Sequence, residues 1–145
     1  KLEDNLFLFF TGFSRDSSKI LKDQNDKTKL NNMNMIKNLD HIKSIAFEIK
    51  KTLKKGNLTE FGNMMNEHWK YKLSRSKNMS NLKINSFYDY AIKNGAIGGK
   101  VVGAGGGGFL LFYTEQPSKL REAMRMKKLT EVRFKFDFEG VKQIL

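Results

Sequence analysis

The stretch of sequence that decides the fold reads GAIGGKVVGAGGGGF and occupies residues 95–109. Short, mainly apolar runs lie on either side of its central glycines, at residues 100–102 and 109–113. Apolar runs of this length, bounded by turn signals, are typical of buried strands. The stretch therefore predicts a β-hairpin whose two strands are joined by a glycine loop.

The glycine loop consists of small residues only: Gly103, Ala104, Gly105, Gly106, Gly107 and Gly108. Glycine allows successive amides to adopt positive φ and to point into one concavity, which suits an anion or a closely packed backbone. The spacing of Gly103, Gly105 and Gly108 also satisfies the dinucleotide-binding pattern, but that pattern must lead into a helix, and here a strand is predicted, so we reject the match. A P-loop is excluded as well, because it needs Lys and then Ser or Thr where Phe109 and Leu110 stand. Two interpretations remain, a backbone cradle beside an anion and a hairpin turn that binds nothing.

Upstream of the hairpin, the apolar residues 6–10 predict a strand that ends in a turn. A helix should follow, capped by Ser14 or Asp16. Its buried face begins at Ile20 and Leu21.

Three further helices are predicted before the hairpin. In the first, which Gly56 ends, apolar residues recur every three or four positions: Leu30, Met33, Ile36, Leu39, Ile42, Ile45, Ile49 and Leu53. The second begins at Asn57 or Thr59 and runs to about residue 73, and the third occupies residues 82–93.

Downstream of the hairpin, Pro117 suits the first turn of a helix that reaches about residue 128. Residues 132–138 alternate as a half-buried strand does, and a short strand is expected at residues 141–144. The order strand, helices, hairpin, helix, strand indicates an α+β sandwich, with one antiparallel sheet covered by helices on one face. We interpret residues 1–145 as one domain.

The composition limits the possible function classes. The chain has 145 residues, 39% of them hydrophobic, which is enough for a core. Lys and Arg number 27 against 15 acids, and the net charge of +12 would attract nucleic acid, nucleotides, sugar phosphates or anionic surfaces. The chain has no Cys, which excludes disulfides and thiolate metal sites. No apolar stretch approaches the roughly 20 residues of a membrane span, so we expect a cytoplasmic protein that does not contact the membrane. The opening at Lys1, without Met, suggests a fragment.

The segment GGKVVGAGGGGF at residues 98–109 resembles the third, C-terminal motif of the GHMP kinases, which include galactokinase and mevalonate kinase. Residues 90–96 and 10–17, Trp69 with Lys72, and Ser80 are most similar to bacterial D-glycero-D-manno-heptose 7-phosphate kinases. This resemblance spans nearly the whole chain.

The resemblance implies a ferredoxin-like sandwich that forms the C-terminal domain of an ATP-dependent sugar kinase. In this family an N-terminal kinase domain of the same protein carries the phosphate loop, in many members an Asp base, and most of the binding site for ATP and Mg²⁺. The resemblance also implies that residues 103–108 support the phosphate loop at the domain cleft. Catalytic residues are then absent from this chain, which alone should be inactive.

Five residues are candidates for binding a phosphorylated sugar: Ser14, Arg15, Ser17, Lys72 and Lys100. At a turn before a helix, backbone amides, hydroxyls and a guanidinium can hold a phosphate. The alternatives are simple helix capping for the serines and solvent exposure for the basic residues.

Other readings compete with the kinase. A basic ferredoxin-like domain can bind RNA through exposed aromatics, which here would be Phe134, Phe136 and Phe138, although nucleic acid is not the expected partner. A non-catalytic binding domain of the same fold and a homodimer are also left open. His41 and His68 lack a second metal ligand at suitable spacing, so we predict surface or boundary positions for them and no metal site.

Overall fold

The computed structural model describes residues 1–13, 18–76, 79–103 and 107–140. A short 3₁₀ helix, Glu3–Asn5, precedes the first strand. The elements that follow, in chain order, are β1 (Leu6–Phe10), α1 (Ser18–Lys29), α2 (Met33–Lys54), α3 (Leu58–Leu73), α4 (Leu82–Lys93), β2 (Ala96–Val102), β3 (Phe109–Thr114), α5 (Pro117–Met126) and β4 (Thr130–Val132).

The strands form one antiparallel sheet in the order β2-β3-β1-β4. This is the strand arrangement of a ferredoxin-like β-α-β-β-α-β unit. In this chain the four helices α1 to α4 occupy the place of the first helix of that unit. The predicted hairpin is present as β2 and β3, and β2 is longer than expected because it begins at Ala96. The α+β architecture predicted from the sequence is confirmed.

The main core lies on one face of the sheet, between the strands and helices α4 and α5. It contains fully buried side chains from both layers: Phe9, Leu110, Phe112, Ile84, Leu120 and Met124. Trp69 of α3 is also buried there. A second, smaller cluster places Met65 of α3 against Leu6 and Tyr113. Helix α3 contributes to both clusters because it packs along the edge strand β2.

Close contact between α3 and β2 depends on two glycines. A Cβ built on Gly98 would lie 1.8 Å from the carbonyl oxygen of Gly62. A Cβ on Gly62 would meet the side chains of Tyr113 and Ile97, at 2.7 and 2.9 Å. Glycine is therefore required at position 98 by the approach of one backbone to another.

Asparagine side chains begin three of the four helices that precede the hairpin. Asn32, Asn57 and Asn81 each accept hydrogen bonds from backbone N–H groups of the first turn of α2, α3 and α4. Gly56 adopts a φ of +69° two residues after α2, which ends that helix as predicted. Local sequence thus determines these boundaries.

Three burial predictions are wrong. Leu21 is 53% exposed and Met33, in the first turn of α2, is 62% exposed. Leu30 lies between α1 and α2 with 81% of its surface exposed. The predicted stripe joined Leu30 to the following helix, but Asn31 has a φ of +52° and Asn32 caps α2, so the helix cannot extend back to it.

The predicted strand at residues 132–138 is also wrong beyond Val132. Strand β4 pairs only with residues 8–10 of β1. Continuing the antiparallel ladder past residue 134 would require the chain before Leu6 to be extended, and it forms the 3₁₀ helix instead. The backbone N–H of Phe136 donates to the Glu3 carboxylate at 2.6 Å. The terminal strand expected at residues 141–144 lies outside the described residues.

Candidate functional site

The two ends of the glycine loop lie side by side where β2 and β3 pair. Val102 is the register partner of Phe109, and the flanking Gly103 and Gly108 have φ values of +87° and +86°. Only glycine adopts this conformation without strain. Gly107 is buried, and Ala104, Gly105 and Gly106 lie outside the described residues.

The turn after β1 is hydrogen-bonded to the end of the glycine loop. The N–H of Thr11 donates to the carbonyl oxygen of Gly108 at 2.9 Å, and the N–H of Gly108 donates to the carbonyl oxygen of Phe13 at the same distance. The buried Thr11 hydroxyl also lies 2.8 Å from the Gly108 oxygen and 3.1 Å from that of Phe13. Ser14, Arg15 and Ser17 lie outside the described residues. The residues just before them, Thr11 and Phe13, are hydrogen-bonded to the glycine loop.

Lys72 connects helix α3 to the other end of the loop. Its ammonium donates to the carbonyl oxygen of Val101 at 3.2 Å and to that of Gly103. The side chain is only 9% exposed. Burial, together with the positive charges of Lys100 and Arg75, lowers the pKa of Lys72 to about 8. The structure thus places Lys72 at the glycine loop rather than on a solvated helix face.

Lys72 belongs to a group of four basic side chains, with His68, Arg75 and Lys100, that lie close enough to affect one another's pKa values. Burial lowers the pKa values of Lys100 and Arg75, and the half-buried His68 has a pKa lowered to about 4 by burial and by the charges of Lys100, Lys72 and Arg75. The Nδ1 atom of His68 is buried and has no hydrogen-bond partner in the part of the chain that the structure describes. Among the described residues, none of these four side chains forms an ion pair.

Arg75 is held in place by helix α2. Its Nε donates at 2.9 Å to the side-chain oxygen of Asn38, which is buried. The amide nitrogen of Asn38 donates to the carbonyl oxygen of Tyr71 and to the hydroxyl of Ser74, both at 2.8 Å. A buried amide with its hydrogen bonds satisfied fixes the base of the guanidinium and leaves its two terminal nitrogens for other acceptors.

Sequence reasoning identified Lys72 and Lys100 but missed His68 and Arg75. His68 was expected at the surface or a boundary, and it is half-buried inside the basic group. The spacing of positions 68, 72 and 75 was the available signal, since residues three and four apart share one helix face. His41, by contrast, lies on the outer surface, where it contacts Glu67 at 2.9 Å and stacks on Tyr71.

The residues suggested for RNA binding do not form the required platform. Phe134, Phe136 and Phe138 follow β4 outside the sheet, whereas RNA-recognition domains stack bases on aromatics of central strands. No helix in the described part of the chain is long and apolar enough to cross a bilayer. Within the same residues, no three His, Asp or Glu side chains lie together as a metal site would need.

Comparison with known proteins places this arrangement in a family. Residues 49–128, more than half of the chain, match the family described as GHMP kinases C terminal. The chain is 31% identical over 144 residues to the D-glycero-alpha-D-manno-heptose 7-phosphate kinase of Campylobacter jejuni, covering 98% of this chain and 42% of that protein. It is 26% identical over 127 residues to the L-fucokinase/L-fucose-1-P guanylyltransferase of Bacteroides fragilis, covering 88% of this chain and 13% of that protein.

The same fold occurs in L. major mevalonate kinase, whose structure in complex with R-mevalonate superimposes with a TM-score of 0.77 at 20% identity. That match covers 87% of this chain and 40% of the mevalonate kinase chain. This chain therefore spans less than half the length of the relatives that it matches. From the family match and the shared fold, we conclude that the chain belongs to the GHMP kinases and corresponds to their C-terminal domain.

Proposed function

We propose that the full-length protein is an ATP-dependent kinase that phosphorylates a heptose 7-phosphate at its anomeric hydroxyl. This chain, as the C-terminal domain, would supply the glycine loop and part of the substrate site. The observation that carries the proposal is the convergence of three features at one end of the sheet: the glycine loop, the turn after β1 and the buried Lys72. Similarity to a heptose 7-phosphate kinase along 98% of the chain supports the choice of substrate.

In this reaction the anomeric oxygen of the sugar forms a bond to the γ-phosphorus of ATP. The bond from that phosphorus to ADP breaks, ADP leaves with the electron pair, and the hydroxyl proton passes to a base. Catalysis of such a transfer rests on positioning and on stabilising charge around the phosphoryl group. A domain can therefore contribute backbone amides and cations without holding the base.

The N-terminal domain of the same protein would provide most of the ATP site and the base. Mg²⁺ would neutralise charge on the phosphates when bound, but the described residues offer no cluster of carboxylates to hold it. We derive no role for the ion within this chain. A cytoplasmic location fits a kinase that uses ATP and a chain without Cys.

Two preparations test this proposal, the full-length protein and this chain alone, each assayed with ATP and heptose 7-phosphate. We expect product only from the full-length protein, and little with the unphosphorylated heptose. Turnover by the isolated chain, or equal use of both sugars, would contradict the assignment.

A matched pair of variants tests the role of the glycine loop. Gly108→Ala and Gly56→Ala both place a side chain at a positive φ with open space around it, so each should cost about 1 kcal/mol of stability. Only Gly108→Ala alters the loop, and we expect it alone to lower kcat/KM, by about tenfold or more if an amide that stabilises charge is displaced. Equal kinetics for the two variants would show that the loop is only a turn.

A further inference from the structure

We propose that a cleft between α1, α2, α3 and Gly103 is a binding site for a phosphate monoester, held by His68, Lys72 and Arg75 with Lys100 close by. The identification of that group as the sugar's own phosphate rests on the proposed function. The binding chemistry itself rests on the residues of the cleft.

The cleft has a volume of about 580 Å³ and reaches the first residue of the glycine loop. Its lining combines basic and polar groups with apolar side chains from the two neighbouring helices: Leu21, Gln24, Ile42, His68, Lys72, Arg75 and Gly103. The basic residues come from one helix face and its end, so they point toward the same space.

The positive charge around the cleft is not balanced within the described residues. One acid of the neighbouring helix α1, Asp23, pairs with Lys27 at 2.9 Å, and that lysine also donates to the backbone oxygen of Arg75. Bringing several like charges together away from water is unfavourable unless an opposite charge joins them. A phosphate monoester, which carries about −1.5 to −2 charges near neutral pH, would supply that charge.

Lys72 and Arg75 keep donors for such a ligand. The Lys72 ammonium has three N–H donors and two carbonyl partners, which leaves one donor. Arg75 donates its Nε–H to Asn38, which leaves its terminal nitrogens. His68 lines the cleft beside them, and its buried Nδ1 has no partner among the described residues. The donors of Lys72 and Arg75 match the several oxygens of one phosphate, and charge-assisted hydrogen bonds are stronger than those between neutral groups.

Phosphate binding should also bring a proton to His68. With no ligand, burial and the surrounding cations hold the pKa of His68 at about 4, so its ring is neutral. The charged groups that face it are Lys72 from α3, Arg75 just beyond the end of that helix, and Lys100 from β2. A bound dianion would counter those charges and raise the pKa of His68.

The kinetic test uses the full-length protein with Arg75→Ala, His68→Gln and the control Lys70→Ala. The control removes one positive charge from an exposed position of the same helix. We expect Arg75→Ala and His68→Gln each to raise KM for heptose 7-phosphate by about tenfold, because each loses one charge-assisted hydrogen bond to the phosphate. KM for ATP should stay unchanged in both variants. Lys70→Ala should leave KM for both substrates unchanged. A rise in KM for ATP instead would overturn the assignment to the sugar's phosphate, and no change in either KM would overturn the site.

A second readout does not depend on turnover. Imidazole NMR of the full-length protein should show the His68 signal shifting toward the protonated form when inorganic phosphate is added at pH 6.5, and Arg75→Ala should abolish this shift. If no sugar phosphate is turned over but the shift occurs, the proposed function fails and the anion site stands. If heptose 7-phosphate is turned over but phosphate leaves His68 unchanged in the parent protein, the site fails and the proposed function stands.

Discussion

The environment of His68 differs strongly from that of a histidine on the protein surface. Burial and three neighbouring cations lower its pKa from 6.5 to about 4 in the folded protein. Lys72, next to it on α3, is held by two backbone carbonyls at the glycine loop. Perturbed groups of this kind often mark functional sites, because the environment that perturbs them is the one a ligand of opposite charge would relieve.

The pKa of His68 predicts how stability depends on pH. Between pH 6.5 and 4 the unfolded chain takes up a proton that the native histidine does not, so stability should fall as the pH falls through this window. Since His68 is only half-buried, we expect a contribution of about 1–2 kcal/mol rather than the full value of the shift. The measurement is urea unfolding of the parent and the His68→Gln variant at pH 6.5 and pH 4.5.

Carboxylates titrate in the same range in both proteins, so the comparison uses the difference between the two. The parent should lose more stability than His68→Gln over this interval. Parallel losses would mean that His68 titrates normally in the folded state.

At the scale of elements, local signals in the sequence predicted most of the helices. Asparagine caps and the 3.6-residue period depend on neighbours in the chain, so Asn57, Asn81 and the helices they begin could be found without a structure. The 3₁₀ helix before β1, which is distant in sequence, leaves residues 135–138 without an extended partner, and this explains why they do not continue β4. The basic cleft was only half predicted for the same reason, since a distant residue, Asn38, positions Arg75.

The packing of α3 on β2 gives a prediction about two glycines. Gly98→Ala would place a methyl group against a backbone oxygen, which cannot rotate away, and should cost about 2–4 kcal/mol by overpacking. Gly62→Ala would meet side-chain atoms that can shift, so its cost should be smaller. Thermal unfolding of both variants of the full-length protein measures the order, and a less stable Gly62→Ala would contradict this account.

At the scale of the whole molecule, the two faces of the sheet differ. Phe9, Leu110 and Phe112 are fully buried under the helices. Four residues that alternate with them on the central strands are only half-buried: Leu8, Phe10, Phe109 and Leu111. The rings of Phe10 and Phe109 pair at 5.2 Å near the glycine loop. This apolar surface is suited to be covered by the proposed N-terminal domain.

This asymmetry predicts different effects for two phenylalanines. In the full-length protein, Phe10→Ser should lower the free energy of unfolding by about 2 kcal/mol or more. The sheet already covers part of the Phe10 ring, and the proposed N-terminal domain would cover the rest. Phe138, which is 90% exposed, is the matched control, and Phe138→Ser should change little. Differential scanning calorimetry decides between them, and equal effects would argue against a domain covering this face.

The shared hydroxyl of Thr11 has a mechanical consequence. The Thr11 hydroxyl contacts the carbonyl oxygens of both Phe13 and Gly108, so it holds the segment after β1 and the segment before β3 at a fixed distance from each other. A displacement of either one is transmitted directly to the other. Under the proposed function, a ligand bound to the segment after Phe13 would thereby alter the backbone of the glycine loop, so binding of sugar and of nucleotide would be coupled through the hydrogen bonds of Thr11 and Gly108.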